Sequence, residues 1–529
     1  AHPPAGEGLS WVGTRYRAPT GGRAPAPRRS RRAELAAAVG ATLRRAPREH
    51  DGARLPALFG ALPRGLRGTL LRNGPARFAV GRDRYRHLFD GEGMVTRFTL
   101  DGEGPLFSNR FVRTREAAEE ERAGHMIYRS FGTNPPGGPL RSALRVRFKN
   151  TANTAVIQHA GRLLALWEGG LPHELDPGSL ATVGRYDFSG ALAPSGWADR
   201  ALGIEPAFCA HPRLDAATGE LWAFGMQLGL SPALRVYRVD AAGSLTVDRT
   251  VRLPELSFVH DFALTPRYAV FFVPAVRFDV ARLLGGATTA IDALTSAHRP
   301  GRILVVPRDG SEVRWLEGPP GFIYHLLNGF ELGPGQVVVD GLWMPSYPAH
   351  HFGLEVGSAL RRGEIPPSSP RRWLIDLDSG RVTTRALHGA TMELPAIHSD
   401  REGRAYRFAW AVTSSEDDPE RYTAIGKLDV PTGELRRADL WPLIPGEPVL
   451  APSPASQRED DGWLLVQCLH AHRQRSVLVV LRASDLEMVA AFEMPCAVPP
   501  SLHGSWIAAG RGDGMGGQRA PDGQRAAAA

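Results

Sequence analysis

The sequence is poor in cysteine, in lysine and in long apolar runs. Its three cysteines, Cys209, Cys468 and Cys496, form no CxxC pair, so we expect neither a disulfide framework nor a cysteine-based metal site. No run approaches the roughly 18 to 20 apolar residues that a membrane-spanning helix needs. These absences predict a cytoplasmic protein that touches a membrane only peripherally.

Positive charge is concentrated at one end of the chain. The 63 basic and 55 acidic residues of this 529-residue chain give a net charge of +8, and ten arginines against three glutamates in residues 1–50 account for 10 − 3 = +7 of it. The nearly neutral remainder excludes a basic nucleic-acid groove in the folded body. We therefore predict a basic Pro/Ala/Arg-rich arm over residues 1–54 with a first helix, a folded domain over 55–508, and a disordered tail over 509–529.

Short β-type runs and turn signals fill the region between the two ends. A hairpin-like phrase recurs, in which an apolar residue and Asp precede a Gly-containing turn, as at Asp215 to Gly219, Asp240 to Gly243 and Asp429 to Gly433. Asp can bond its own turn backbone and Gly tolerates positive φ, so each phrase suits a strand-turn-strand corner. Hairpins repeated over such a length favour an all-β propeller, with a multi-domain β protein as the alternative.

The histidines are the residues most informative about chemistry. His470 and His472, like the adjacent His350 and His351, have the short spacing of a metal pair, but surface or turn positions explain both pairs better. Four others, His211, His260, His325 and His503, are separated by 49, 65 and 178 residues. No single helix or hairpin could bring these four together, whereas the axis of a closed propeller could.

Several short phrases of unusual composition follow one another in a fixed order between roughly residues 55 and 508. They are Leu71 to Pro75, Phe89 to Met94, Phe131 to Asn134, Lys149 to Thr154, Leu166 to Glu168, the four histidine phrases, and Glu459 to Gly462. Taken together and in this order, they resemble the carotenoid cleavage oxygenase family. The resemblance implies a seven-bladed β-propeller with a helical and loop cap over one face.

By this resemblance, His211, His260, His325 and His503 are the ligands of one non-haem Fe(II) ion per chain, with dioxygen as co-substrate. Neutral imidazoles suit this ion, and a ligating histidine needs its other ring nitrogen held by a partner. The family uses three glutamates for this purpose, which map to Glu168, Glu393 and Glu459 and would serve His260, His325 and His503 as a set. Two further residues are implied beside the reacting groups: Thr154, whose methyl group would crowd one open coordination position, and Trp167 in the substrate wall.

The implied reaction is oxidative cleavage of a conjugated C=C bond by dioxygen, which yields two carbonyl products. The chain looks most like the bacterial branch that cuts linear apocarotenoids to retinal-like aldehydes, so a small apolar polyene is the expected substrate. A stilbene or related phenylpropenoid is the alternative, although members that cleave hydroxylated stilbenes tend to carry Lys where Trp167 stands. A non-catalytic propeller scaffold is the alternative of another class. No protein or nucleic-acid partner is evident.

A polyene substrate dissolves in a bilayer, so the entrance to the site is expected to touch one. The segment from Phe271 to Leu294 is apolar enough to supply a shallow membrane-contacting patch, and it is equally consistent with packed core. The basic N-terminal arm would add attraction to anionic headgroups.

Overall fold

The fold is seen in a computed structural model that describes residues 10–12, 15–17, 28–145, 147–194, 197–227, 232–297, 299–348, 352–354, 368–418, 421–454 and 457–510. Strands dominate this part of the chain. The α-helices found in it are α1 Arg28–Thr42, α2 Arg115–Ala123, α3 Pro139–Ser142, α4 Trp197–Leu202 and α5 Val280–Leu284, and short 3-10 turns occur at Leu88–Asp90 and Ser399–Arg401. The predicted tail lies outside the described residues from 511 onward.

The strands follow one another closely along the whole domain. In the first half they are β1 Ser10–Val12, β2 Arg15–Arg17, β3 His50–Arg54, β4 Ala57–Gly60, β5 Gly68–Arg77, β6 Ala79–Val80, β7 Asp83–Arg84, β8 Glu92–Leu100, β9 Pro105–Phe111, β10 Ala155–His159, β11 Arg162–Leu166, β12 His173–Leu175, β13 Thr182–Arg185, β14 Arg213–Asp215, β15 Glu220–Gln227, β16 Ala233–Val239, β17 Leu245–Arg252 and β18 Ala263–Leu264. In the second half they are β19 Tyr268–Val273, β20 Val276–Phe278, β21 Leu294–Ser296, β22 Arg302–Pro307, β23 Arg314–Glu317, β24 Phe322–Gly333, β25 Gln336–Met344, β26 Ser369–Asp376, β27 Val382–Ala386, β28 Met392–Ile397, β29 Phe408–Ser414, β30 Tyr422–Asp429, β31 Glu434–Asp439, β32 Leu443–Pro452, β33 Gly462–His470, β34 Arg475–Arg482, β35 Met488–Glu493 and β36 Gly504–Ala508.

Seven antiparallel sheets of four or five strands form the blades of a β-propeller, which confirms the predicted all-β architecture. Five blades are β10 to β13, β14 to β17, β18-β19-β22-β23, β24 to β27, and β28 to β31. The sixth is β32 to β35 with β4 at its outer edge, and the seventh is β36-β5-β8-β9-β3. Strands β10, β14, β18, β24, β28, β32 and β36 begin the blades, and most of them contact the corresponding strand of the next blade around the axis.

The ring is closed by both ends of the domain. Strand β4 pairs with β35, and β36 pairs with β5 through Trp506 opposite Leu70. Strand β3 also belongs to the seventh blade, because His50 pairs with Asn109 of β9. The propeller sheets therefore include residues from His50 onward, within the stretch predicted as a basic arm over residues 1–54.

Each blade is buried on both faces because neighbouring blades stack. Along β25, Val337 and Val339 pack into one core with Ile375, while Val338 faces the opposite core with Met392. The alternation of strand side chains thus feeds two cores at once. Burial of each such valine stabilises the fold by about 1.5–3 kcal/mol relative to its exposure.

Loops and short helices form a cap beside the axis. The N–H of Leu144, just after α3, donates to the carbonyl of Leu284 in α5 at 2.9 Å, and the N–H of Ile291 donates to the carbonyl of Phe131 at 2.9 Å. Phe131 also stacks on Phe258 with a ring-centroid separation of 5.9 Å. These contacts hold the cap over the segment that carries His260.

Candidate metal centre and cavity

The four candidate histidines converge at one point. One nitrogen from each of His211, His260, His325 and His503 lies within 4.8 Å of the corresponding atoms of the other three, and Nε2 of His211 is 3.0 Å from Nε2 of His260. His325 lies in β24, and the other three directly precede β14, β18 and β36. Four separate blades therefore aim an imidazole at the propeller axis.

The other three blades each supply a glutamate that contacts one of these histidines. The carboxylate of Glu168, after β11, is 2.7 Å from His260 Nδ1. Glu393 of β28 is 2.5 Å from His325 Nδ1, and the third blade contributes Glu447 of β32, 2.8 Å from His503 Nδ1. With each Nδ1 held by a carboxylate, the tautomer is fixed and Nε2 is left free to face the centre.

The expectation that Glu459 serves His503 is wrong. Glu459 lies in the turn between β32 and β33, where its carboxylate accepts the backbone N–H groups of Arg407 at 2.9 Å and Phe408 at 2.6 Å. In this sixth blade, the glutamate that reaches the axis is Glu447, because it lies on the inner strand β32. The same signal that pointed to Glu393, a carboxylate in apolar company, is present around Glu447 in the phrase Leu-Ile-Pro-Gly-Glu-Pro-Val-Leu.

The electrostatics of the site differ from one histidine to the next. Burial and the three neighbouring histidines lower the pKa of His211 well below its ordinary value. Burial also lowers the pKa of His503, and the Glu447 carboxylate offsets only part of that effect. Burial acts in the same direction on His325, but the carboxylates of Glu393, Asp261 and Glu447 together outweigh it and the net pKa shift is upward.

The donor set fits a first-row transition ion. Nε2 of His325 is buried and has no hydrogen-bond partner among the described residues. A buried nitrogen without a partner costs free energy unless its lone pair binds another group, such as a metal ion. Imidazole nitrogen is a good ligand for Fe, Zn, Cu and Ni. Four imidazoles aimed at one point, three of them backed by carboxylates, therefore make a credible site for such an ion.

A cavity of about 840 Å³ opens onto three of the four histidines, His260, His325 and His503, and is lined mainly by apolar side chains. Thr154 and Trp167 both line it. The carbonyl of Thr154 accepts the backbone N–H of His503 at 3.1 Å, which places this residue directly beside that histidine. Trp167 immediately precedes Glu168. The structure thus brings both sequence-predicted residues to the cavity next to the centre.

The closely spaced histidines lie apart from this centre. His472 is exposed and lies 3.0 Å from Glu34 of α1, while His470 is buried and packs near His472 with ring centroids 5.8 Å apart. Neither belongs to the four-histidine group. His350 and His351 lie outside the described residues.

The predicted patch over Phe271 to Leu294 needs correction. Phe271 has 0% exposure because it lies in β19 at the centre of a blade. The exposed apolar surface lies only partly in this segment. It is an apolar rim made of residues in α3, the turn after α3, and α5: Leu140, Leu144, Val280, Leu283 and Leu284. The last four line the cavity, and Leu283 and Leu284 are half-buried. Leu140 and Leu144 are 93% and 76% exposed. No α-helix among the described residues is long and apolar enough to cross a membrane.

The sequence of this chain is similar to that of known proteins along most of its length. The model of the retinal pigment epithelial membrane protein family matches residues 43–508. An apocarotenoid-15,15'-oxygenase of Synechocystis sp. is 36% identical over 462 residues, covering 84% of this chain and 91% of the relative. An isoeugenol monooxygenase of Pseudomonas nitroreducens is 27% identical over 472 residues, covering 85% of this chain and 93% of that protein.

Solved structures show the same fold. A cobalt-substituted Synechocystis apocarotenoid oxygenase superposes with a TM-score of 0.81 at 32% identity, and the match covers 90% of this chain and 99% of that one. The sequence relatives named above are all oxygenases. The chain therefore belongs to the retinal pigment epithelial membrane protein family, the carotenoid cleavage oxygenases, and is an oxygenase of that family.

Proposed function

We propose that this protein is an Fe(II)-dependent dioxygenase that cleaves a conjugated C=C bond of an apocarotenoid into two aldehydes. The observation that carries the proposal is the convergence of four histidines, of which three are hydrogen-bonded to glutamates and line an apolar cavity. His211, His260, His325 and His503 would hold one iron ion. Glu168, Glu393 and Glu447 would fix the orientation of three of these ligands.

The bound iron would supply the activation of dioxygen, which amino-acid side chains cannot perform. The four imidazoles add no negative charge, so the ion would keep its full positive charge. The protein's own part is to position the alkene and to exclude water. Thr154, beside His503, would narrow the approach to the centre on its side, and the apolar walls would hold the polyene extended next to it.

The lining of the cavity favours a linear polyene as substrate. Trp167, Phe258 and Phe278 line the cavity, and such side chains offer apolar surface with few hydrogen-bond requirements. One observation supports the phenylpropenoid alternative: Tyr324 lines the cavity, and its buried hydroxyl has the hydroxyl of Tyr347 as its neighbour. A substrate phenol could bind the hydroxyl of Tyr324.

Parallel assays separate these two substrates. We expect the Fe(II)-loaded protein, incubated in air with an apocarotenal, to give two aldehydes by chromatography, one of them retinal-like, and to leave a hydroxystilbene uncut. Aromatic aldehydes from the hydroxystilbene alone would replace the polyene proposal by the phenylpropenoid one. Protein that carries no iron after loading and cuts neither compound would favour the scaffold alternative.

The apolar rim is proposed to contact a membrane surface and admit substrate from it. Exposed leucines and valines around a cavity mouth gain free energy when they enter the interfacial layer. We expect L144E/V280E to lose most of its co-flotation with lipid vesicles, because each carboxylate must be desolvated there. The matched control is L332E, at a 62% exposed leucine in the β24–β25 hairpin; equal flotation of both variants would contradict the proposal.

A further inference from the structure

Arg72 is a fully buried arginine that contacts the surroundings of only one of the four histidines. It lies in β5 of the seventh blade with 0% exposure. Its Nε donates to Ser501 Oγ at 3.1 Å and its Nη2 to the carbonyl of Leu502 at 3.0 Å. Its Nη1 forms a very short contact with Oε2 of Glu447. The guanidinium thus ties the segment before His503 to the glutamate that orients His503.

This arrangement makes the three glutamate–histidine pairs unequal. Glu447 is shared, since Oε1 accepts from His503 while Oε2 accepts from Arg72 and from the N–H of Gly504 at 3.0 Å. Neither Glu168 nor Glu393 contacts a cationic side chain among the described residues. Glu393 accepts one extra backbone N–H, from Leu394 at 3.0 Å, and no described residue forms a hydrogen bond with its Oε1.

Close packing shows that Arg72 and the His503 segment are fitted to each other. A Cβ added at Gly504 would lie 2.1 Å from the carbonyl oxygen of Leu71 and 2.7 Å from Cδ of Arg72. Any larger residue at this position would therefore push the strand that follows His503 away from the arginine. The absence of a side chain at Gly504 lets the backbone approach closely enough for the three contacts of Arg72 to form.

We propose that Arg72 is a positioning residue of the metal centre, acting through Glu447 on His503. Its planar fork, with donors in fixed directions, locks the Glu447 carboxylate and residues 501–502 in one geometry, which a point charge could not do. It also draws negative charge from Glu447, so His503 is hydrogen-bonded to a weaker acceptor than His260 or His325. The centre consequently has one ligand that is rigidly placed but less strongly polarised than the two others backed by a carboxylate.

This inference rests on the proposed function, and Co(II) is the probe that tests it independently of turnover. We expect R72Q to bind Co(II) about 10 to 100-fold more weakly than the native protein, which is the usual effect of removing an outer partner of a ligand, and to shift its visible absorption bands. R72K should recover part of the affinity, because lysine again gives the Glu447 carboxylate a cationic partner. Lysine cannot, however, bind Ser501 and Leu502 at the same time. The control is R372Q, which breaks the pair between the half-buried Arg372 and the buried Asp340 in another blade.

A double-variant comparison separates a specific role from general destabilisation. If Arg72 acts through Glu447, R72Q/E447Q should bind Co(II) no more weakly than E447Q alone, since the second change removes an interaction already lost. Fully additive losses, or an R72Q protein with the Co(II) affinity and spectrum of R372Q, would overturn the role of Arg72 and leave the proposed function standing. A native protein that binds no Co(II) and no Fe(II) would overturn both.

Discussion

Replacement of His325 by alanine is expected to abolish retention of iron and cleavage of the polyene. The ring of His325 lies between the other three histidines and Glu393, and removing it deletes one of four ligands and leaves a buried carboxylate without its partner. The same result is expected for alanine at His211, His260 or His503. Iron content measured on purified, folded protein, together with aldehyde formation, would test this expectation.

The internal control for this experiment is His472→Ala. His472 is an exposed histidine on the same propeller whose partner is Glu34 of α1, so its loss should leave iron content and turnover unchanged. An H472A protein depleted of iron, or an H325A protein that keeps a full equivalent, would mean that the metal lies elsewhere.

Replacement of Glu447 by glutamine is expected to have two effects where Glu393→Gln has one. Each change should weaken metal affinity or turnover by about 10 to 100-fold, because the amide no longer accepts a charge-assisted hydrogen bond from the histidine. E447Q also leaves the buried guanidinium of Arg72 without its anion, and breaking a buried ion pair costs about 3–5 kcal/mol. E447Q should therefore unfold at a clearly lower temperature than E393Q, as measured on the metal-free proteins.

Glu459→Gln is the control for both glutamate variants. Its carboxylate binds backbone N–H groups of Arg407 and Phe408, so its replacement should affect local stability and leave metal affinity within about twofold of the native value. Loss of metal from E459Q with retention by E447Q would mean that Glu459, and not Glu447, supports the metal ligand His503.

Local signals in the sequence were sufficient to predict an all-β propeller, whereas the seven-bladed form and the set of four histidines were implied only by the family resemblance. Asp–Gly turns between apolar runs predict hairpins wherever they occur, and the histidine phrases are matched by the family resemblance. The pairing of glutamates with histidines leaves a weaker signal. Glu447 and Glu459 are only twelve residues apart, and knowledge of which one lies on the inner strand requires the register of β32.

The limits of the arm and the position of the apolar rim depend on tertiary contacts that local composition does not show. The arm contains α1, whose Leu35, Val39 and Leu43 pack against Leu469 in the core. The high charge and proline content of the first fifty residues predicts an unpacked arm, although the apolar face of α1 contacts the folded domain. The apolar rim combines residues of α3 and α5, which are about 140 residues apart in sequence. The composition of a single segment therefore predicts only part of the rim.

The participation of all seven blades in the centre has a consequence for the timing of biosynthesis. The first contributor, Glu168, and the last, His503, are separated by 503 − 168 = 335 residues. At roughly 5–20 residues per second, a ribosome needs about 17 to 67 s to pass from one to the other. No partial chain holds the complete ligand set, and β36 must first pair with β5. An ion held by the complete set would therefore be bound only after translation has passed residue 503, when the ring is finished.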